Sequence, residues 1–356
     1  MLSKIRGNAM ISKKHHTTPH SAKPGRRRFL KTAGTGLAAI LASGRAPLFA
    51  QTKPTKLVFA HNAAPPEAGA VVMDWFSKEV NSRSKGDIDI QFFGATLISK
   101  ELEIANAVKS GSVAMGTASG GAATITPEFG VFVVPYLVPD YKTAYAMFNG
   151  KIGQRFDELF QKKYNLKVLF FYDNGYRHFW NNKRAIVEPK DLRGLKLRAQ
   201  PGRIFADAIN GLGGNAVPLP FSELVTAAQQ GVIDGGDMPI ANFVPVKLYE
   251  VSKYASMSYH VYSPSYVVFN PTIWQELTEA QRKLLTEVGR DAQDRMRETM
   301  GSVDSLEGAK KLLEPHGMSV NQVDVDLFRK TAKENIWPEY QKQYADGWDE
   351  IANFKA

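Results

Sequence analysis

From Lys56 onward the chain alternates short runs of β-branched and aromatic residues with amphipathic stretches, and this alternation most narrows the folds open to it. Lys56–His61 (KLVFAH) reads as a strand, and Glu67–Ser82 places Val71, Val72, Trp75, Phe76 and Val80 on a helical period. Ile88–Phe92 is a second strand, Lys100–Ser110 a helix capped by Ser99 and stopped by Gly111, and Val113–Thr117 a third strand. A β-α-β-α-β order predicts a parallel sheet flanked by helices, because parallel neighbours need a crossover that a helix supplies.

The alternation continues without sequence repetition. Phe129–Val134 and Val168–Tyr172 read as buried strands on either side of helical Tyr141–Tyr164, and Leu195–Ala199 as a strand after the turn Glu188-Pro189-Lys190-Asp191. Helical Arg203–Leu212, strand Ala216–Pro218, helical Ser222–Gln230 ending at Gly231, and strand Val232–Gly235 follow, which predicts a second α/β sheet from near residue 172. The last third is helical. Thr278-Glu279-Ala280-Gln281 is a capping box, and Leu284, Val288, Ala292, Met296, Met300, Val303 and Leu306 mark one apolar stripe. At ~1.5 Å per residue, roughly 30 residues make a helix of ~45 Å, long enough to brace two lobes. Gly289, Gly301 and Gly308 are the points at which it is free to bend.

The charge is unevenly placed. The net +10 comes from residues 1–50, which hold 10 of the 45 Lys and Arg and no Asp or Glu; beyond them 35 basic residues face 35 acidic ones. A neutral body gives a polyanion such as nucleic acid nothing to bind. The first fifty residues instead run from Lys4, Arg6, Lys13, Lys14 and Lys23 into Arg26-Arg27-Arg28-Phe29-Leu30-Lys31. A weakly apolar Thr32–Ser43 run and the small-residue exit Leu48-Phe49-Ala50 follow. That order is an export leader with a twin-arginine core, cut after Ala50, and its apolar run falls well short of the ~20 residues that span a bilayer.

The chemistry of several enzyme classes is missing. With no cysteine there is no disulfide, thiolate metal site or thiol nucleophile. No G-x-S-x-G elbow, H-E-x-x-H helix or P-loop occurs. Gly211-Leu212-Gly213-Gly214-Asn215-Ala216 matches a dinucleotide fingerprint in letters only, since it follows a helix and enters a strand. Beyond the leader the histidines, His61, His178, His260 and His316, are scattered, so neither a metal nor a cofactor is expected. His61 ends the first strand, where α/β crevices open, and is a candidate to line a site.

Two arginines carry the most information. Arg177 lies in Asn174-Gly175-Tyr176-Arg177-His178-Phe179-Trp180-Asn181-Asn182 and Arg198 in Asp191-Leu192-Arg193-Gly194-Leu195-Lys196-Leu197-Arg198, both among alternating apolar residues. A guanidinium there needs an anion: a ligand carboxylate, which its planar fork matches bidentately, or an internal Asp or Glu.

These segments, with PLPFSELVTAAQQGVIDGGDMP and VKLYEVSKYASMSYH, resemble the solute-binding proteins of tripartite ATP-independent periplasmic (TRAP) transporters, the DctP-like type, over essentially all of residues 56–356. The resemblance implies an α/β two-lobed flytrap, each lobe a mostly parallel sheet flanked by helices, joined by crossing strands and a long helix. Lobe I is expected over residues 51–171 plus about 264–303, and lobe II over 172–263 plus about 304–356. By the same resemblance Arg198 pairs with a ligand carboxylate and Arg177 adds a contact. Phe221 packs on the ligand, Asn62 contributes from the first lobe, and Asp237 and Met238 line the cleft. Met238 and Ser119 replace polar or acidic residues of the sialic-acid binders, which argues against that sugar. Trp180, Phe179 and Phe243 leave room for an aromatic or short aliphatic acid, or else pack the core. The implied role is a periplasmic receptor that hands a small organic acid anion to the small and large permease subunits, without catalysis; some relatives dimerise through an extended C-terminal helix, but the amphipathic Trp337–Phe354 tail is able to pack on its own body, and a monomer is expected. Two alternatives stay open: a secreted enzyme acting on a carboxylate, with His61, Glu103 or Asp237 as base, and a sensing partner of a membrane kinase.

Overall fold

The computed structural model describes residues 53–119 and 121–356, which belong to one compact unit; the leader read in residues 1–50 lies outside them. Nine strands form one sheet: β1 (Thr55–His61), β2 (Ile88–Gly94), β3 (Met115–Ala118), β4 (Lys167–Asn181), β5 (Lys196–Ala199), β6 (Asn215–Pro218), β7 (Gly235–Pro239), β8 (Tyr254–Phe269) and β9 (Ser319–Gln322). Their order is β2-β1-β3-β8-β4-β7-β5-β6, with β9 beside β8.

The parallel pairs lie towards the two ends of this order. On one side β1 pairs parallel with β2 and β3, crossing over through α1 (Ala68–Arg83) and α2 (Glu101–Ser110); on the other β5 pairs parallel with β6 and β7. In place of two separate sheets, two long antiparallel strands join the groups. β4 and β8, of 15 and 16 residues, each give one end to each group: β3 pairs with Tyr266–Phe269 of β8, and β7 with Arg177–Asn181 of β4. The strand expected over Val168–Tyr172 runs on to Asn181 through an irregularity between Asp173 and Tyr176, where Gly175 takes a φ of +84°.

Several local expectations change. Phe129–Val134 is a 3₁₀ segment, Pro127–Val133, rather than a strand, and a fully buried apolar run carries no period to separate the two. The helix expected over Tyr141–Tyr164 breaks at Gly150 into Tyr141–Asn149 and Lys151–Leu159, ending in a π-turn, Phe160–Tyr164. Ser99 does not cap α2, whose N-cap is Lys100 with no side-chain bond, although Gly111 stops it in the left-handed region as expected. The strand expected over Val232–Gly235 begins at Gly235.

The capping box of Thr278 and Gln281 is made, and the long helix runs Glu279–Val303, 25 residues or ~37 Å. It stops at Asp304, and Leu306 belongs to the next helix, Leu306–Leu313. Leu285, Val288, Ala292, Met296 and Met300 pack against Val72 and Phe76 of α1 and Phe170 of β4 in one core. Among the described residues no helix is long and apolar enough to cross a membrane.

Candidate functional site: a cavity at the carboxyl ends of the parallel strands

The carboxyl ends of β1, β3, β5 and β7 and the segment after β6 meet the middle of β4 around one cavity of about 250 Å³. In open α/β sheets this is where a ligand finds backbone turns and helix starts rather than a closed ladder. Its walls include His61 and Asn62 after β1, Ser119 after β3, Arg198 on β5, Phe221 after β6, Met238 on β7 and Arg177 on β4. Seven of the nine positions singled out in sequence are thus brought together from six strands.

Arg198 is 2 % exposed, and its Nε donates to the Leu219 carbonyl at 3.0 Å. Among the described residues no other protein hydrogen bond or ion pair holds this guanidinium. Burial and the nearby Arg177 charge pull it down to about 9, against the opposing influence of Asp237 and Glu101. A guanidinium does not give up its proton at that value near neutral pH. The downward direction follows from a buried charge that the protein compensates incompletely, which leaves it able to gain from an incoming anion.

Arg177 meets the other fate left open for it. Its Nε and Nη2 donate to the two carboxylate oxygens of Asp237 at 2.7 and 2.9 Å, a bidentate ion pair that is buried on both sides. His260 Nε2 lies 3.1 Å from the same carboxylate, while its Nδ1 is 2.8 Å from the Ser258 hydroxyl and its ring stacks on Phe179 at 4.1 Å. Burial alone would raise the Asp237 carboxyl; Arg177 and His260 outweigh it and hold the group well below the ordinary aspartate value. Asp237 therefore stands behind Arg177 and does not line the cavity.

Trp180 is the second correction. It is fully buried in a core with Leu224, Met238 and Phe243, its ring against Gly236, and lines no part of the cavity. On β4, residues 178 and 180 face away from Arg177, as the strand period of two requires.

Sequence reasoning missed two acids. Glu67 caps α1, accepting from Ala70 N at 2.7 Å, and Glu101 opens α2, accepting from the backbone N–H of Ser119 at 3.1 Å and of Gly121. Glu103, the acid singled out on that helix, lies outside the cavity and pairs with Lys100 at 3.3 Å. The signal was present: Ile104, Ala105 and Val108 are the buried face of α2, and counting back by three, four and seven gives 101. Burial raises the Glu101 carboxyl, against the two N–H donors and Arg198, and Glu67 pushes it in the same direction as burial. Burial also keeps His61 neutral-leaning, below its ordinary value, with Ala63 N donating to its Nδ1 at 3.0 Å. A Cβ on Gly69 would lie 3.2 Å from Glu67 and 3.4 Å from His61 Nε2, so the glycine keeps this corner open.

A chain of amides crosses the floor. Ala68 N donates to Asn242 at 3.4 Å, Asn242 to Asn174 at 3.4 Å, and Asn174 to Ser119 at 3.1 Å. At the rim, the Thr124 hydroxyl donates to the Pro201 carbonyl at 3.3 Å. Among the described residues no group of three His, Asp or Glu side chains is placed to hold a metal.

The comparisons agree with this fold. A solute-binding protein of Verminephrobacter eiseniae is 34% identical over 221 residues, 62% of this chain and 66% of its own. A TRAP periplasmic solute-binding protein of Bordetella bronchiseptica, with density assigned to pantoate, superposes with a TM-score of 0.78 at 28% identity, covering 85% of this chain and 100% of that one. One from Polaromonas, bound to D-erythronate, gives 0.78 at 29% identity over 85% and 99%. The family model for bacterial extracellular solute-binding proteins, family 7, matches residues 59–346, and the chain belongs to that DctP family.

Proposed function

We propose that this protein is the extracytoplasmic receptor of a TRAP transporter and captures a small organic acid anion in the cavity, for delivery to the membrane permease subunits. The observation that carries the reading is Arg198: a buried guanidinium, bonded among the described residues only through Nε, on the wall of a cavity the size of a small acid. Its fork takes the ligand carboxylate, Arg177 lines the same cavity with Asp237 behind it, and Phe221 and Met238 supply apolar walls. Pantoate and D-erythronate, named for the Bordetella and Polaromonas proteins, are both small carboxylates, which supports this class.

The division into lobes follows the strand groups. The β1–β3 group with the outer halves of β4 and β8 makes lobe I, and the β5–β7 group with β9 makes lobe II, close to residues 51–171 plus 264–303 and 172–263 plus 304–356. Export by the twin-arginine leader in residues 1–50 completes the proposal. The enzyme alternative loses two of its three candidate bases, since Asp237 is tied to Arg177 and Glu103 lies outside the cavity.

The test is thermal melting of refolded, ligand-stripped protein against a panel of small organic acids, with Arg198→Ala beside it. At about a thousandfold excess over Kd, a one-site ligand adds ~4 kcal/mol, several degrees for a protein of this size. A shift with some carboxylates that vanishes in Arg198→Ala is expected. Equal shifts in both proteins, or none in either, would sink the proposal.

A further inference from the structure

We infer that the cavity selects acids carrying a single carboxylate and hydroxyl donors, and turns dicarboxylates away through Glu67 and Glu101; the inference rests on the receptor reading above. Five charged side chains line the cavity: Glu67, Lys100, Glu101, Arg177 and Arg198. Lys100 points to solvent, its side chain 67% exposed and paired with Glu103. Arg177 already answers Asp237 bidentately. The cavity therefore holds one guanidinium without a carboxylate partner and two carboxylates with no ion-paired cation on either among the described residues.

Both carboxylates look at the same space. The Tyr172 phenol, on the same wall, is raised first by burial and then by Glu67 and by Glu101, and Glu101 is itself raised by Glu67 and lowered by Arg198. An ionised carboxylate accepts hydrogen bonds and donates none. Glu67 receives one backbone N–H and Glu101 two, so each keeps lone pairs for the ligand. The end of the ligand away from Arg198 must then bring donors, and hydroxyls on a short chain do so. A second ligand carboxylate would add a third acid beside Glu67 and Glu101 out of water, where among the described residues neither has an ion-paired cation, which is discrimination by repulsion rather than by shape.

Erythronate and malate separate the cases, since both have four carbons, and erythronate carries three hydroxyls and one carboxylate where malate carries one hydroxyl and two carboxylates. Calorimetric titration of the stripped wild type is expected to give at least tenfold tighter binding of erythronate than of malate or succinate. Glu101→Gln, and separately Glu67→Gln, should weaken erythronate and strengthen malate, narrowing the ratio at least threefold. A residue that merely props the wall would move both acids the same way. Malate or succinate binding as tightly as erythronate, or parallel losses in both variants, would overturn the inference while leaving the receptor reading intact. Binding unaffected by Arg198→Ala, or no binding of any acid, would remove the receptor reading and this inference with it.

Discussion

Arg177 and Arg198 carry the same charge to one cavity and meet different partners there, and nothing in their local sequence separates them. Each sits on a strand among apolar residues, so a need for an anion is legible; which anion depends on β7, which brings Asp237 opposite Phe179 and within reach of Arg177. Asp237→Asn should therefore remove the negative charge that faces a buried guanidinium and cost ~3–5 kcal/mol in denaturant unfolding, while Arg177→Met with Asp237→Leu should cost less than the single change. A loss below ~1 kcal/mol, the range of exposed pairs, would refute the buried-pair account. The acid limb tests the same pair. Asp237 titrates lower in the folded than in the unfolded chain, so its contribution is present above the ordinary aspartate value of 3.8 and is lost as the pH falls below it. In Asp237→Asn, stability below that pH should decline less steeply than in the wild type. Glu101, in contrast, was readable from the buried face of α2, and Glu103, two positions on, sits at the wrong helical phase to share that face.

At the scale of elements, the two glycines of the long helix look alike in sequence, as places for a bend, and the fold gives them different surroundings. A Cβ on Gly289 would stand 2.6 Å from Phe170 Cδ1, whereas nothing lies within 4 Å of one on Gly301. Gly289 is thus the close approach between helix and β4. Gly289→Ala should destabilise by ~1–3 kcal/mol through overpacking, and Gly301→Ala should stabilise by ~0.5–1 kcal/mol through helix propensity, both read from denaturant midpoints. Equal and favourable effects would show that Phe170 yields freely. The strands misjudged in sequence share one cause: Phe129–Val134 and Val232–Gly235 are short apolar or Gly-bounded runs whose state is set by what they pack on.

For the whole molecule, β4 and β8 decide the architecture, since two long strands serve both groups, and their shared register is irregular at Val168–Phe170, Asp173–Tyr176 and Arg177–Phe179. Moving a flytrap from 1:99 to 99:1 closed takes about 5.5 kcal/mol of preference for the closed form. A carboxylate desolvated on Arg198, with contacts from both groups of strands, is suited to supply it. Small-angle scattering of the stripped protein should show a smaller radius of gyration at saturating acid, and an unchanged radius would contradict closure. The sequence by itself determined the alternating α/β order, the first parallel group, the capped long helix and the arginine that needs an anion, because hydrophobic period, caps and charge on an apolar strand are local properties. The tertiary structure alone decided that one sheet runs through the chain, that Asp237 pairs with Arg177, that Trp180 joins the core, and that Glu67 and Glu101 line one cavity with Arg198. Each of these depends on contacts between segments far apart in the chain, which no local period encodes.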